Sequence, residues 1–563
     1  MNRATLRLLS VFGSAMALGA CAGPTWQKTP HDRLFQRVPA PQSHPIIERS
    51  EPLDGWYAID QVLARPLARA VNPGHYVERM FGGRPALDVN HFGQVLDSTW
   101  FTNRIGRHPL SAQQVRVGPN RTGGPAPGPL LVIGGKVEGA TPGLIIRDSA
   151  GTEFIVKFDP PAFPGLASGA ELIATKILWA AGYNVPENYV VTFDLQRLTL
   201  DPTAKTQGPH GDEIALSRKR LDDLIALVNP YPDGSIRALF SKRLPGRVLG
   251  PFTYRGQRPD DPNDHIPHEH RRSLRGLWLF AAWLNNTDTR RANTMDIFVS
   301  PKAPDLGHVV HYLLDFGDAL GAAGTKPKFP GQGYEYRLDW PLIGQSFFSL
   351  GLAYRYWVTL QRSPFRSVGL FEAQVFDPDR WAPTFPNPAF DEANAHDTYW
   401  AASIIARFTP RQLLAIVEEA DYTEPGARQW VLRVLLARQY RLLARAFENL
   451  LPLDFPVTRG GVLQLTDLAV QANLLLQPHL VSYEWHAVDE DGQTLGRGQT
   501  PTPQANLATI ARRLKAARPR APFMTVHWRR KDGLAISPPP EVRVHVRAVE
   551  GGVLAVGLDR DVH

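Results

Sequence analysis

Residues 309–317 read Val-Val-His-Tyr-Leu-Leu-Asp-Phe-Gly, so a mostly apolar run ends abruptly on a carboxylate. A run of this kind, bounded by a glycine-containing turn, predicts a buried strand. Asp315 would then emerge at the edge of the core, where an unpaired charge is costly and needs a cation or hydrogen-bond donors. The stretch predicts either a carboxylate that holds a cation or an ordinary turn before Gly317, and Asp318 adds a second carboxylate.

A carboxylate and an amide precede this strand. Residues 271–285 carry apolar side chains at helical spacing, which predicts a core helix. The loop Asp288-Thr-Arg-Arg-Ala-Asn293 follows that helix almost directly. In such a loop Asp288 could orient or deprotonate a hydroxyl group while Asn293 holds a metal ion. A solvated turn, with Asn285 and Asn286 capping the helix, explains the same residues.

Lys157 lies in the middle of the strand-like run 154–158, so its ammonium group needs a partner or must reach solvent along the sheet. A helix is predicted next, with Ser168 as its N-cap and Gly182 as its end. Glu171 is open to two interpretations. The spacing Ser168-Gly-Ala-Glu171 fits a capping box, and the same carboxylate could pair with Lys157.

Three strand-like runs, 130–133, 144–146 and 154–158, are joined by turn-forming segments and predict an antiparallel sheet. The turn from Gly139 to Gly143 offers backbone N–H groups that could bind phosphate, with a plain hairpin turn as the alternative. Helical patterns follow at 271–285 and twice within 400–450, and the chain is predicted to have an α+β fold.

The order of these elements resembles the protein-kinase-like superfamily: a strand Lys, a helix Glu, a D-x-x-x-x-N loop and a D-F-G turn. The pattern departs from typical protein kinases, because Asn286-Thr287-Asp288 replaces His-Arg-Asp and no Ala-Pro-Glu follows Gly317. The G-x-G-x-x-G spacing is also missing. The chain is more similar to atypical kinases, such as the spore-coat, secretory-pathway and toxin-type kinases.

The resemblance implies a bilobal kinase-like domain at residues 129–453, with an antiparallel N-lobe sheet and a helical C-lobe. It implies ATP or another nucleotide and Mg²⁺ as cofactors. It also assigns roles to single residues: Asp288 as the base, Lys157 and Glu171 at the phosphates with Gly139 and Gly143, Arg290 near the transferred phosphate, and Asn293 and Asp315 on Mg²⁺.

The N-terminus predicts export. Residues 1–20 combine basic residues with a short apolar run, which is typical of a signal peptide and too short to span a bilayer. The ending Leu-Gly-Ala-Cys21 resembles the bacterial lipobox, which implies that Cys21 is lipidated and that the protein is anchored in the cell envelope, at the outer membrane. An uncleaved or unlipidated signal peptide is the alternative. Cys21 is also the only cysteine, so no intrachain disulfide can form.

The remaining chain is predicted to hold a tether at 21–52, an irregular extension at 53–128 with Trp100-Phe101 as anchors, and a β-rich C-terminal domain at 454–563. A net charge of +8 favours anionic partners in general, but no DNA- or RNA-binding motif is present, so no nucleic acid is expected. The cluster His265, His268 and His270 fits a solvated loop better than a metal site.

Three functions remain open on the sequence. The first is phosphate transfer from a nucleotide to an envelope protein or glycan. The second is a catalytically inactive kinase-fold module that binds or scaffolds at the envelope. The third is a purely structural lipoprotein, which predicts no effect of nucleotide or metal.

Overall fold

The computed structural model describes residues 39–50, 57, 59–64, 67, 83–135, 143–208, 212–228, 230–231, 233–303, 305–352, 355–360, 362–448, 450–475, 478–531 and 540–561. The predicted signal peptide, Cys21, much of the tether and Gly139 lie outside these residues. Within them, no helix is long and apolar enough to cross a membrane.

Strands occur along most of the described chain. They are β1 (His44–Pro45), β2 (Leu130–Gly135), β3 (Gly143–Arg147), β4 (Glu153–Phe158), β5 (Asn188–Asp194), β6 (Leu198–Gln207), β7 (Glu213–Ala215), β8 (Ser235–Lys242), β9 (Arg247–Gly250), β10 (Thr294–Ala303), β11 (Leu306–Leu313), β12 (Ala322–Ala323), β13 (Lys326–Pro327), β14 (Leu453–Arg459), β15 (Val462–Asp467), β16 (Ser482–Val488), β17 (Thr494–Thr500), β18 (Gln504–Asn506), β19 (Phe523–Lys531), β20 (Val542–Val549) and β21 (Gly552–Arg560).

Helices concentrate in the middle of the chain. They are α1 (Ala112–Val117), α2 (Leu166–Ala181), α3 (Arg218–Ala226), α4 (Arg272–Arg275), α5 (Leu277–Leu284), α6 (Trp340–Phe348), α7 (Pro388–Asp391), α8 (Ala395–Ile405), α9 (Pro410–Glu418), α10 (Ala427–Ala446), α11 (Leu468–Gln471) and α12 (Ala508–Ala517). Short helical turns lie at Asp60–Ala64, Leu195–Arg197, His268–His270, Arg291–Asn293, Tyr356–Thr359, Pro378–Arg380 and Pro478–Leu480. The fold is therefore mixed, with several sheets and many helices.

A seven-stranded sheet in the order β5-β8-β4-β3-β2-β6-β7 contains the three predicted strands. It is antiparallel except for the parallel pair β2 and β6. On β4, Phe154, Val156 and Phe158 point into an apolar core on one face. Because side chains alternate along a strand, Lys157 points to the other face. The residue paired with Lys157 on β8 is Leu239, which belongs to the same hydrophobic core as the buried residues of α2.

The central helical core positions the loop that contains Asp288. Helix α5 is almost entirely buried, and it is separated from α4 at Gly276, so the predicted single helix at 271–285 is two short helices. Gly276 is required there because an added Cβ would lie 2.7 Å from the Trp400 ring. Trp100 and Phe101 of the N-terminal extension are buried in the same core, as predicted.

Arg438 of α10 fixes the end of α5. Its fully buried guanidinium donates to the carbonyls of Ala282 at 2.6 Å, Trp283 at 2.9 Å and Glu372 at 2.8 Å. The last carbonyls of a helix lack a partner within the helix, so Arg438 satisfies the Trp283 carbonyl, and it adds a second donor to Ala282, which also accepts from the Asn285 N–H. The start of the Asp288 loop is therefore held from outside its own helix.

We expect Arg438→Met to lower stability strongly. The carbonyls of Trp283 and Glu372 would lose their donor, whereas that of Ala282 still accepts from the Asn285 N–H at 3.2 Å. Each unsatisfied group costs about 1–3 kcal/mol, so the loss should be at least about 2 kcal/mol. Chemical unfolding followed by tryptophan fluorescence measures it. The matched control is Arg433→Met on the exposed face of α10, which should stay within about 0.5 kcal/mol of wild type. Equal effects of both changes would contradict this role of Arg438.

The C-terminal residues form a three-stranded sheet, β14-β15-β18, and a five-stranded sheet, β17-β16-β19-β20-β21. Their shared core contains Trp528 and Val544 and also receives Phe92 from the N-terminal extension. The β-rich character of this region is present, and the exact domain boundaries, including 454, stay predictions.

The prediction of a solvated loop at the histidine cluster holds for His265, which is exposed, but not for His268. His268 is buried, and its Nε2 lies 2.7 Å from Asp264, which also pairs with Arg271 at 2.7 Å. Burial alone would raise the pKa of Asp264, but the hydrogen bond and charge of His268 and Arg271 outweigh burial and hold it well below its usual range. Asp264, His268 and Arg271 therefore form a buried ionic network within residues 264–271.

Candidate functional site

Three of the predicted residues meet at one cavity. Lys157 Nζ lies 2.8 Å and 3.0 Å from the two carboxylate oxygens of Glu171 and 2.9 Å from Asp315 Oδ1. The exposed fraction of the side chain is 12% for Lys157, 3% for Glu171 and 45% for Asp315. One cation and two carboxylates thus meet, although Lys157 and Asp315 are more than 150 residues apart in the sequence. Lys157 lies on a strand, Glu171 lies on a helix, and Asp315 lies just beyond the end of another strand.

The charge of Lys157 is strongly favoured in this setting. Burial lowers the pKa of its ammonium group, but the charges of Glu171 and Asp315 outweigh burial and raise it above its usual range. Lys157 therefore stays positively charged at any physiological pH, as a group that neutralises anions must.

Glu171 has no capping role, so the capping-box interpretation is wrong. Helix α2 begins at Leu166, and Ser168 lies inside its first turn rather than at its N-cap. Asp159 caps the helix instead, because its Oδ1 accepts from the backbone N–H groups of Ala167 at 3.0 Å and Ser168 at 2.9 Å. The tight turn at 160–165 brings Asp159 back to the helix, which spacing in sequence does not reveal.

Asp315 lies just beyond the end of β11, in a left-handed backbone conformation with φ of 54°. Residues other than Gly adopt this conformation rarely, and Asp is among those that tolerate it best. The backbone N–H of the preceding Leu314 donates to the carbonyl of Asn293 at 2.9 Å. The turn that carries Asp315 is thus tied directly to the loop that carries Asp288.

Asp288 is held by the two residues predicted to act with it. Asn293 Nδ2 donates to the Asp288 carbonyl at 2.7 Å and to its Oδ2 at 2.9 Å, and Arg290 Nε lies 2.7 Å from its Oδ1. Asn285 ends α5 in a left-handed conformation, as the capping alternative predicted. The loop beyond it is not a solvated turn, however, since Thr287 is fully buried and Asp288 is mostly so.

Lys328 is a residue that sequence reasoning missed. Its side chain is fully buried, and Nζ donates to Thr287 Oγ1 at 2.7 Å and to the Asp318 carbonyl at 2.6 Å, with Asp318 Oδ2 at 3.9 Å. Burial lowers the pKa of Lys328. It lies in a glycine-rich irregular segment, so no periodicity distinguishes it from a surface lysine.

The cavity itself measures about 260 Å³, slightly below the roughly 300–1,000 Å³ typical of small-molecule sites. Asp288, Asp315 and Asp318 contribute carboxylates to its wall, and Lys157 and Arg290 contribute cations. Burial, together with the charges of Asp288 and Asp315, raises the pKa of Asp318 to about 6 despite the opposing effect of Lys328. The carboxylates repel one another, so an added cation would be stabilised among them.

Within the described chain, no three His, Cys, Asp or Glu side chains are grouped closely enough to hold a metal ion. Mg²⁺ at phosphate sites is usually bound by one or two carboxylates together with substrate phosphates and water. Asp315 lines the cavity and fits such a partial ligand set. Asn293 is not among the residues that line this cavity, and it is tied to the Asp315 turn through its backbone carbonyl. The fit therefore depends on phosphate being present.

Gly143, one of two glycines predicted to contact phosphate, lies on β3 directly opposite Lys157. Gly139 lies outside the described residues.

The far wall of the cavity includes Thr384 and Phe385, and the Thr384 N–H donates to the Thr287 carbonyl at 2.8 Å. The Asp288 loop is thus supported on both sides.

The sequence matches no protein-family model and no curated protein. Solved structures that match include a crystal structure of the Golgi casein kinase and one of the Golgi casein kinase with Mn/ADP bound. Both have a TM-score of 0.28 and 10% sequence identity, and the alignments cover 76% of this chain and 94% and 92% of those chains. A TM-score of 0.28 is too low to define a shared fold, so the function of this chain has to be inferred from its own geometry.

Proposed function

We propose that residues 129–453 form an atypical, bilobal kinase-like domain that transfers phosphate from ATP or another nucleotide, with Mg²⁺, to a hydroxyl group. The observation that carries this proposal is the contact of Lys157 with both Glu171 and Asp315 at the cavity that Asp288 also lines. A positioned cation, a metal-binding carboxylate and a candidate base in one cleft are the parts that phosphoryl transfer needs.

Lys157 would bind the phosphates of the nucleotide. Glu171 holds the ammonium group in place, so less freedom is lost when a phosphate binds. Asp315 and Asn293 would hold Mg²⁺, which supplies positive charge to neutralise the phosphates when bound. Arg290 lies beside Asp288, where its charge would stabilise the phosphoryl group that is transferred.

Asp288 would accept the proton of the acceptor hydroxyl. As the new bond forms between the acceptor oxygen and the terminal phosphorus, the bond from that phosphorus to the bridging oxygen breaks, and the nucleoside diphosphate leaves. Asn293 and Arg290 fix the orientation of the Asp288 carboxylate, and each of its oxygens retains a lone pair for the incoming proton.

The N-terminal sequence supports a further part of the proposal, which concerns the location of the protein in the cell. The signal-like residues 1–20 and the lipobox-like ending at Cys21 support export and a lipid anchor at the outer membrane of a bacterial envelope. The acceptor would then be an envelope protein or glycan, and the nucleotide would have to reach that compartment.

One observation favours a second candidate, a kinase-fold module that binds without turnover. Asp315 Oδ1 is 2.9 Å from Lys157, so the carboxylate proposed for Mg²⁺ pairs with the cation proposed for phosphate. A module that kept this ion pair permanently would be closed to nucleotide. Nucleotide binding therefore separates the two candidates.

ATP with Mg²⁺ should raise the thermal unfolding midpoint of the protein. A ligand bound only by the folded state at about 100 times its Kd adds about 2.7 kcal/mol of stability, which corresponds to a shift of several degrees. Differential scanning fluorimetry with ATP, with and without EDTA, measures the shift. We expect it to vanish in Asp315→Ala and to persist in the control Asp222→Ala, whose side chain is exposed on α3. No shift in wild type would favour the closed module.

A further inference from the structure

Outside the cleft, the most unusual surface is a projecting apolar segment that begins at α6. None of the residues of α6 is buried. Beyond its middle, Phe347, Phe348, Leu350 and Leu352 expose 74%, 86%, 90% and 86% of their surface, and we call these four residues the apolar tip. Surfaces of soluble proteins rarely concentrate large apolar side chains in this way unless the patch binds something.

Hydrogen bonds define both ends of the segment that carries the apolar tip. Asp339 caps the start of α6, since its Oδ1 accepts from the Leu342 N–H at 3.1 Å. At the other end, Leu350 and Gly351 have positive φ, and the Gly351 N–H donates to the Ser346 carbonyl at 2.8 Å. These contacts close the helix in a left-handed turn, so the apolar side chains are held outward.

A tryptophan and an arginine follow the apolar tip closely in the sequence. Trp357 is buried, and Arg355 lies over the Trp357 ring at 5.6 Å. Arg355 also pairs with Glu335 at 2.5 Å and donates to Ser346 Oγ at 2.9 Å. Apolar side chains at the end, with tryptophan and arginine behind them, are the arrangement of segments that lie in a membrane interface.

The charge of the surrounding sequence distinguishes between two possible binding partners of the apolar tip, a second copy of the chain and a lipid bilayer. From Trp340 to Arg366 the sequence contains three arginines and no Asp or Glu. Arg355 is paired with Glu335, so the charge offered to a partner comes from Arg362 and Arg366, which are exposed. A second copy of the chain would bring the same positive charges against this surface, whereas anionic lipid headgroups would complement them.

We propose that the apolar tip inserts into the interface of an anionic lipid bilayer. This contact is separate from the predicted lipid anchor, which lies more than 300 residues earlier in the sequence. Gln332 and Arg337, which line the cleft, lie on the segment that leads directly into α6. Insertion of the apolar tip would therefore place the cleft close to the bilayer surface, whether or not the cleft transfers phosphate.

The test uses the full chain with Cys21→Ser, which removes the only native thiol and the predicted lipidation site. Phe348→Cys in that background receives an environment-sensitive fluorophore, and Leu480→Cys is the matched control, because Leu480 is also a largely exposed apolar residue, with 64% of its surface accessible. Vesicles of phosphatidylcholine alone, or with about one third phosphatidylglycerol, are added. We expect a severalfold rise in emission at position 348 with the anionic vesicles, quenched by nitroxide-labelled lipid, and no change at position 480.

No emission change at position 348, or equal changes at both positions, would overturn the proposal. Sedimentation equilibrium without lipid tests the competing occupant: self-association that is abolished by combining Phe347→Ser, Phe348→Ser and Leu350→Ser would assign the surface to a second copy instead. The thermal shift with ATP and Mg²⁺ should be unchanged in this triple variant. Failure of lipid binding can thus be distinguished from failure of the nucleotide site.

Discussion

Lys157→Met should abolish nucleotide binding and lower phosphate transfer by at least about 100-fold. Removal of one positioned donor from an electrostatic site typically costs 10²–10³ in rate, and Lys157 is the buried cation nearest to the proposed metal ligand. Isothermal titration with ATP and Mg²⁺ measures the binding. ATP hydrolysis and self-phosphorylation measure turnover without an identified acceptor.

Stability has to be separated from function in this variant, because methionine leaves Glu171 buried without its cation. Breaking a buried pair costs about 3–5 kcal/mol. The double variant Lys157→Met with Glu171→Gln removes both charges and should recover part of that stability without recovering binding. Lys176→Met is a matched control, since Lys176, which lies on α2, is also a buried lysine and pairs with Glu419 away from the cavity. Normal nucleotide binding in Lys157→Met would refute the proposed phosphate site.

Asp288→Asn should lower the turnover rate by about 10²–10⁴-fold while the affinity for nucleotide changes little. Asparagine keeps the shape of the side chain but cannot accept the hydroxyl proton. The loop should remain in place, because Asn293 also donates to the Asp288 carbonyl, which the change leaves intact. Measuring kcat and the nucleotide Kd independently shows whether turnover falls while nucleotide affinity is retained.

The matched control for this change is Asp264→Asn, which alters a buried aspartate of the His268 network outside the cavity. It should reduce stability and leave kcat of the folded protein unchanged. Wild-type kcat in Asp288→Asn would remove Asp288 from the proposed chemistry. Absence of turnover in wild type, with nucleotide binding intact, would instead support the inactive binding module.

Local patterns in the sequence were sufficient to predict individual elements near the site. Short strand-like runs joined by turn-forming segments predicted β3 and β4, and the strand β11 that precedes Asp315 follows from its apolar run. Helix α2 was also predicted, but its start was not. Its cap, Asp159, lies eight residues before Ala167 and meets the helix only through the intervening turn.

Residues without local regularity could not be predicted. Lys328 belongs to a loop, and its burial against Thr287 arises from packing of segments more than 40 residues apart. Arg438 lies on a helix whose pattern shows only an unexpected charge, and its role exists because the end of α5 packs beside it. Neither the partner nor the burial of such a group is encoded near it in the chain.

The sequence by itself determined which residue types were available and on which elements they lie: a lysine on a strand, a glutamate on a helix, and two carboxylates at the ends of core elements. Those features depend on periodicity and turn chemistry, which act over a few residues. Only the tertiary structure decided that Glu171 pairs with Lys157 rather than caps its helix, and that Asp315 joins them. Ion pairing depends on distance in space, and that distance is set by how the sheet packs against α2 and the core.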